Sequence, residues 1–353
     1  MKHISWWKNY NFFFKKNSDV KQIISKFNVN KNYVDILEKK LSKIIGLKYV
    51  AFTTSGSSAL ILALHSVTSK QKLKVLVPAR TWVATAHAAY NMNHTVNIVD
   101  INKKTLNFDL VENNSSLINK NDIAITVNLN GKNCKIDKLK KNKKLIIIED
   151  SAQSFMSFRK KLNKSIKISC FSTGTTKLLN TFQGGFCATN DKKLYNKILL
   201  SRNHGVYDFF ADKWKMPGYN LKPTNLQCFI GINELKYIKK KKNACIKIFK
   251  NYKSKVKNKK IKIFDPQYSK EEFPLYVIAL VKNKSKFLKY MKDNNVQTRP
   301  LPPPISSAKY FSKKKKINFI NSDSIYQKAI YLPCGPSQNK NDINKVIKII
   351  NNY

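Results

Sequence analysis

Apolar positions change period several times along the chain, and those changes divide it into elements. From residue 20 to residue 67 the spacing is helical: DVKQIISKF and VDILEKKLSKIIGL place apolar side chains three and four apart. TTSGSSALILALHSV then opens as a Gly/Ser turn and continues as an apolar helix. Short, largely apolar runs follow at KVLVP (74–78), TVNIVDI (95–101), DIAITVNL (122–129) and KLIIIED (144–150). Each has strand length, and the segments between them are polar or helix-like, as in TWVATAHAAYN (81–91). A strand covered on both faces carries no polar alternation, so this rhythm predicts a doubly wound, mostly parallel α/β sheet. Residues 170–190 read as strand, loop, strand around Gly184-Gly185.

The character changes after about residue 235. Lysine runs at 239–242 and 253–262 precede a strand-like FPLYVIALV (273–281) and a helix-like SKFLKYMKDNNV (285–296). A Pro-rich loop at 300–304 and a terminal helix in NDINKVIKIINN complete a small α+β unit. The expected domains are therefore 1–235, a large α/β unit with an N-terminal helical segment, and 236–353. The lysine runs, 313–316 included, mark exposed loops or helix faces. No stretch of about 18 apolar residues exists, so no membrane span is expected. The opening MKHISWW lacks an apolar h-region and a small-residue cleavage site, which predicts a cytoplasmic protein without a secretion signal.

Charge sharpens this picture less than its size suggests. The 353 residues carry 67 Lys+Arg against 20 Asp+Glu, a formal charge of +47, and a hydrophobic share of 42% suffices for a large core. Such a balance invites a nucleic-acid reading. Yet the lysines are spread through the whole chain, and Arg80, Arg159, Arg202 and Arg299 are the only arginines. Arginine is the better residue for bidentate contacts to phosphates and bases. Lys, Asn and Ile in excess fit AT-rich codon usage, so the charge reads as solvated surface. Its functional alternative is attraction of anionic ligands. Six cysteines without a C-x-x-C pair or a His cluster read as buried free thiols in a reducing compartment.

Four constellations carry candidate chemistry, each with a plain structural alternative. Ser55-Gly56-Ser57-Ser58 at a helix start suits a phosphate, or is an ordinary Ser cap. Glu149-Asp150-Ser151-Ala152-Gln153 ends an apolar strand, where a carboxylate either pairs with a ligand cation or caps the next segment. In Phe171-Ser172-Thr173-Gly174-Thr175-Thr176-Lys177, a lysine lies among small hydroxylated residues, and partial burial would lower its pKa and favour carbonyl chemistry. The alternative is one more solvated lysine. Trp82, just after the run 74–78, either stacks on a flat ring or packs in the core.

Taken in order, these pieces resemble the DegT/DnrJ/StrS sugar aminotransferases of the fold-type I pyridoxal-phosphate enzymes. The sequence of features is a Gly/Ser loop, a post-strand aromatic, Asp150-x-x-Gln153 and Ser172-x-x-x-x-Lys177. Gln183-Gly184-Gly185, His204-Gly205, Gly218-Tyr219-Asn220, Thr298-Arg299-Pro300 and Leu332-Pro333 follow. The resemblance runs from about residue 20 to the C-terminus and implies a large doubly wound domain with a small α+β domain. It implies that Lys177 holds pyridoxal 5'-phosphate covalently and moves the substrate proton. Asp150 would keep the pyridine nitrogen protonated, Gln153 would contact the phenolic side and Trp82 would stack on the ring. Ser57, Ser58 and Ser172 would hold the phosphate, and Asn220 would reach the cofactor of a partner in a homodimer with shared sites.

The implied reaction moves an amino group from an amino acid, glutamate by expectation, to a nucleotide-linked keto-sugar. The setting would be cell-surface polysaccharide or amino-sugar biosynthesis. Relatives that dehydrate sugars typically carry histidine where Lys177 stands, and a non-catalytic regulatory relative is the third reading. Departures from the family pattern are Gln183 for Glu, Lys222 for Arg, Met156 for Gly and Asn128 for His. The stretch 154–170 matches the pattern poorly.

Overall fold

The computed structural model describes residues 3–9, 20–68, 71–108, 123–140, 145–157, 165–208, 210, 213–311 and 319–353. In chain order, the first part contains α1 (Val20–Ser25), α2 (Tyr33–Ile45), β1 (Tyr49–Thr53), α3 (Gly56–Val67), β2 (Lys74–Pro78), α4 (Ala84–Tyr90) and β3 (Thr95–Val99). It continues with β4 (Ile123–Val127), α5 (Asp137–Lys140), β5 (Ile146–Asp150), β6 (Ile166–Ser172), β7 (Gly185–Thr189), α6 (Lys192–Arg202) and α7 (Asn225–Leu235). The remainder is α8 (Ile238–Lys255), β8 (Ile261–Ile263), β9 (Ile278–Val281), α9 (Lys284–Asp293), β10 (Arg299–Pro300), α10 (Ile320–Lys328), β11 (Ala329–Tyr331) and α11 (Lys340–Asn351).

Seven strands form one sheet in the order β1-β7-β6-β5-β4-β2-β3. The neighbours from β6 to β3 pair in parallel, and β7 runs against both β6 and β1. β4, β5 and β7 are nearly wholly buried along their length, the mark of a sheet covered on both faces. Alternate residues enter different layers. Phe52, Phe171 and Phe186 join one apolar cluster, while Ala51, Cys170 and Cys187 join the other. Phe171 and Phe186 stack with centroids 4.5 Å apart. Cutting Phe186 to Ala would cost about 3–5 kcal/mol of stability.

Local chemistry sets the helix limits. In α2 the side chains of Tyr33, Leu37, Leu41 and Ile45 are buried at four-residue spacing. Asn32 caps its start by accepting from the Asp35 N–H, and Gly46 ends it with a left-handed φ of 73°. α3 begins at the Ser55 cap, whose hydroxyl accepts from the Ser58 N–H. α7 carries a reciprocal capping box between Thr224 and Gln227.

The second sheet, β10-β11-β9-β8, is antiparallel throughout. Behind it α11 buries Ile343, Val346, Ile347, Ile349 and Ile350. Residues 3–9 cross to this part of the molecule as a strap, with Ile4 bridging to Val296 and Trp7 to Cys334.

Three sequence expectations need correction. The stretch 20–67, read as helical, contains the strand β1, because YVAFT is almost entirely buried and shows no alternation. Only residues 278–281 of the run 273–281 form a strand. Phe273, Leu275, Tyr276 and Val277 are buried as irregular chain, and Pro274 among them cannot donate to a ladder. The helix expected at 81–91 is Ala84–Tyr90, which leaves Thr81 and Trp82 in the preceding loop. All six cysteines are free and buried, as expected. Residues 313–316 lie outside the described residues. Among the described residues, no helix is long and apolar enough to cross a membrane.

Candidate functional site

Ligands of open parallel sheets bind beyond the strands' carboxyl ends. Here the segments leaving β1, β2, β4, β5 and β6 surround a cavity of about 620 Å³. They contribute Ser55–Ser57, Arg80–Trp82, Leu129, Asp150 and Ser172, and the loop after β6 adds Lys177. The far wall comes from the rest of the chain: Trp6 from the strap, Tyr276, the segment 299–303, Tyr326 and Tyr331. Close backbone approach shapes the serine side. A Cβ on Gly56 would lie 2.7 Å from the Ser172 Cβ, and one on Gly185 would lie 2.5 Å from the Ser55 carbonyl carbon. Ser57, Ser172 and the first turn of α3 thus converge on one concave spot, with the positive end of the helix behind it.

Asp150 is 5% exposed. Its Oδ2 accepts the Thr85 hydroxyl at 2.8 Å and its Oδ1 accepts the Ala152 N–H at 3.0 Å. Burial pushes its carboxyl pKa up, while these two donors and the positive field of Lys177 hold it down. Lys177 lies under the opposite pressure. Burial lowers its amine to about 8, and Asp150 resists that through space. Among the described residues no acceptor bonds the amine, whereas the Lys177 carbonyl is fixed by the Asn9 side-chain amide at 2.6 Å. The loop is therefore held by its backbone and the amine is left available. Gln153 is oriented by the Asn130 N–H, which donates to its Oε1 at 2.9 Å.

The cavity brings together six of the expected site residues: Ser57, Trp82, Asp150, Gln153, Ser172 and Lys177. Trp82 is 61% exposed and is not part of the core. Ser58 and Asn220 are not among the lining residues. The Ser58 hydroxyl points into the turn, 2.8 Å from those of Thr54 and Ser55, and the residue is 6% exposed. Asn220 is exposed and bridges to Asn203. Sequence reasoning gave no site role to Trp6, Arg80, Arg299 or Tyr331, which line the cavity. The signal for the arginines was their scarcity, since two of only four line this cavity.

Two departures gain a physical meaning. Met156, at a position where the family pattern has glycine, adopts φ 72°. Asn128 is buried and links two turns, donating to the Ser151 hydroxyl and accepting from the Cys134 N–H.

Known proteins resemble this chain in sequence and in fold. GDP-perosamine synthase of Escherichia coli O157:H7 is 26% identical over 336 residues, spanning 91% of this chain and 90% of that protein. GDP-4-keto-6-deoxy-D-mannose 3-dehydratase of Yersinia pseudotuberculosis is 32% identical over 243 residues, spanning 59% of this chain and 62% of that protein. The structure of Helicobacter pylori PseC, an aminotransferase involved in the biosynthesis of pseudoaminic acid, superposes with a TM-score of 0.86. It is 22% identical, with 99% of this chain and 98% of that one covered. The profile of the DegT/DnrJ/EryC1/StrS aminotransferase family matches residues 15–351, and the chain belongs to that family of pyridoxal-phosphate-dependent sugar aminotransferases.

Proposed function

We propose that this protein transfers an amino group from an amino acid, glutamate first among donors, to a keto-sugar carried on a nucleotide. The observation that carries the reading is the Lys177 amine, lowered to about 8 and without a bonded acceptor among the described residues, in one cavity with the buried Asp150 carboxyl and the serine cradle. These residues suit pyridoxal phosphate: a dianion needs the hydroxyls and helix end, a ring cation needs the carboxylate, and an aldehyde needs the amine. When bound, the cofactor supplies an electrophilic carbonyl and a ring that accepts electrons.

The protein's part in the reaction follows from its own groups. Ser57, Ser172 and the N–H groups at the start of α3 bind the phosphate. Asp150, oriented by the Thr85 hydroxyl and the Ala152 N–H, would hold a proton on the ring nitrogen. Lys177, its amine lowered to about 8, would take a proton from the substrate carbon and return it to the cofactor's aldehyde-derived carbon. Trp82 would stack on the ring face, and Gln153 would contact its phenolic side.

In this reading two copies pair. Phe210 and Trp214, 101% and 71% exposed, flank the loop that leads to Asn220, which would turn toward the partner's cofactor. The setting is a cytoplasmic step in amino-sugar or cell-surface polysaccharide synthesis. The test is a half-reaction: protein loaded with pyridoxal phosphate and given glutamate should form pyridoxamine phosphate, and nucleotide-linked keto-sugars should reverse the spectrum. No half-reaction with any amino acid would overturn the proposal. The similarity to a sugar dehydratase keeps a second reading open to the same assay, in which sugar loses water without a donor. The lysine at 177 favours amino transfer.

A further inference from the structure

We propose that Arg80 receives a carboxylate of the amino donor, with Arg299 as the second cation of the same subsite. The inference rests on the aminotransferase reading and adds a recognition group to it.

Arg80 follows β2 directly and lines the cavity while remaining only 4% exposed. Its Nη2 donates to the Pro302 carbonyl at 2.7 Å, which anchors one arm of the guanidinium. Its Nη1 is buried and has no acceptor. Among the described residues no carboxylate lies within ion-pair distance of it. The Tyr326 ring centroid is 5.8 Å from the guanidinium carbon, so its near neighbours are one π face and a carbonyl. Burial lowers its pKa, with Tyr331, Tyr326 and Asp323 opposing. An arginine nonetheless keeps its proton, so the site holds a fixed cation with an unused donor.

A buried charged donor without a partner is expensive, and protein interiors seldom tolerate one without a use. The anchored arm fixes the plane of the guanidinium and leaves its other donors in that plane. A planar carboxylate matches this arrangement, and a lysine ammonium would not. Arg299 lines the same cavity, stacked 4.8 Å from the Trp6 ring centroid, and its neighbours Pro300–Pro303 lead to the carbonyl that anchors Arg80. The phosphate of a cofactor already has the serine cradle. Every amino donor brings at least one carboxylate, and the two arginines are cations not otherwise spoken for.

The experiment compares cofactor-loaded wild type with Arg80→Met, Arg80→Lys and Arg299→Met. Calorimetry with succinate, a dicarboxylate that cannot transfer nitrogen, reads the subsite without turnover. Arg80→Met should weaken succinate binding and raise the donor KM by about tenfold or more. Its KM for nucleotide-sugar and its cofactor absorbance band should not change. Arg80→Lys should recover only part of the loss, and Arg299→Met should show a smaller effect in the same direction. Unchanged succinate affinity and donor KM in Arg80→Met would overturn the proposal, as would a change confined to the sugar KM. If Arg80→Met does not fold, Arg80→Lys carries the same test. A wild type that binds succinate through Arg80 but runs no half-reaction would instead refute amino transfer.

Discussion

Two buried lysines show how one residue type serves opposite ends. Lys241 in α8 is wholly buried and forms an ion pair with Glu234, also wholly buried, near the end of α7. Lys177 borders the cavity and feels Asp150 only through space. Burial lowers both pKa values, but at Lys241 a bonded carboxylate resists and the lysine ties two helices together. At Lys177 no bond compensates, so its proton is loosely held near neutrality. At Lys241 the charge is tied to a partner whose removal would be costly; at Lys177 the charge meets no bonded partner among the described residues.

Removing each amine should break the comparison most clearly. Lys177→Met should lower amino transfer by about 10³-fold or more and abolish the cofactor's lysine-bound absorbance, as rates and spectra will show. Lys241→Met should leave the chemistry but strand Glu234 in the interior, costing about 3–5 kcal/mol in denaturant unfolding. Replacing both partners, Lys241→Met with Glu234→Leu, should restore most of that stability.

The stability effect at 177 should have the opposite sign. In cofactor-free protein at pH 7, Lys177→Met should be more stable than wild type by about 1–2 kcal/mol, because a poorly solvated charge is gone. The folded amine titrates near 8 against an ordinary value of 10.5. Between those pH values the unfolded chain holds a proton that the folded chain has released. Wild-type stability from this group therefore rises with pH across that window, and the advantage of the methionine variant should vanish above it. Unfolding midpoints at pH 7 and pH 10.5 check both statements. The smallest effect is expected beside the site: Met156→Gly should stabilise the fold by about 1 kcal/mol, because φ 72° strains a side chain that glycine lacks. A thermal melt measures it.

How much was legible in the sequence depended on whether a residue's role was local. Asp150 and Ser172 are the last residues of β5 and β6, and Lys177 lies in the loop after β6, so their order along the chain carried them to the cavity. The parallel strands were visible for the same reason, as short buried runs between helices. Ser58 does not line the cavity, because the third residue of α3 turns its hydroxyl back to Thr54 and Ser55, and no spacing rule registers that rotation. β1 was hidden because a strand buried on both faces looks like the end of the apolar helix before it. Trp6, Tyr276 and Tyr331 were invisible as site residues, since only tertiary folding brings them opposite residues far away in the chain. Arg80 had a local clue, its rarity, but its lone donor shows only in three dimensions.

The strap at residues 3–9 has a consequence for how the cavity comes into being. Asn9 fastens the Lys177 carbonyl, Trp6 forms part of the wall, and the strap itself is held by backbone bonds from Cys334 to Trp6 and from Lys8 to Cys334. During synthesis, the serine cradle and the reactive lysine therefore emerge long before their enclosure exists. Until the chain folds, Lys177 is an ordinary solvated lysine, because burial is what lowers its amine. The cavity is enclosed only once the segment after β11 pairs with residues 3–9.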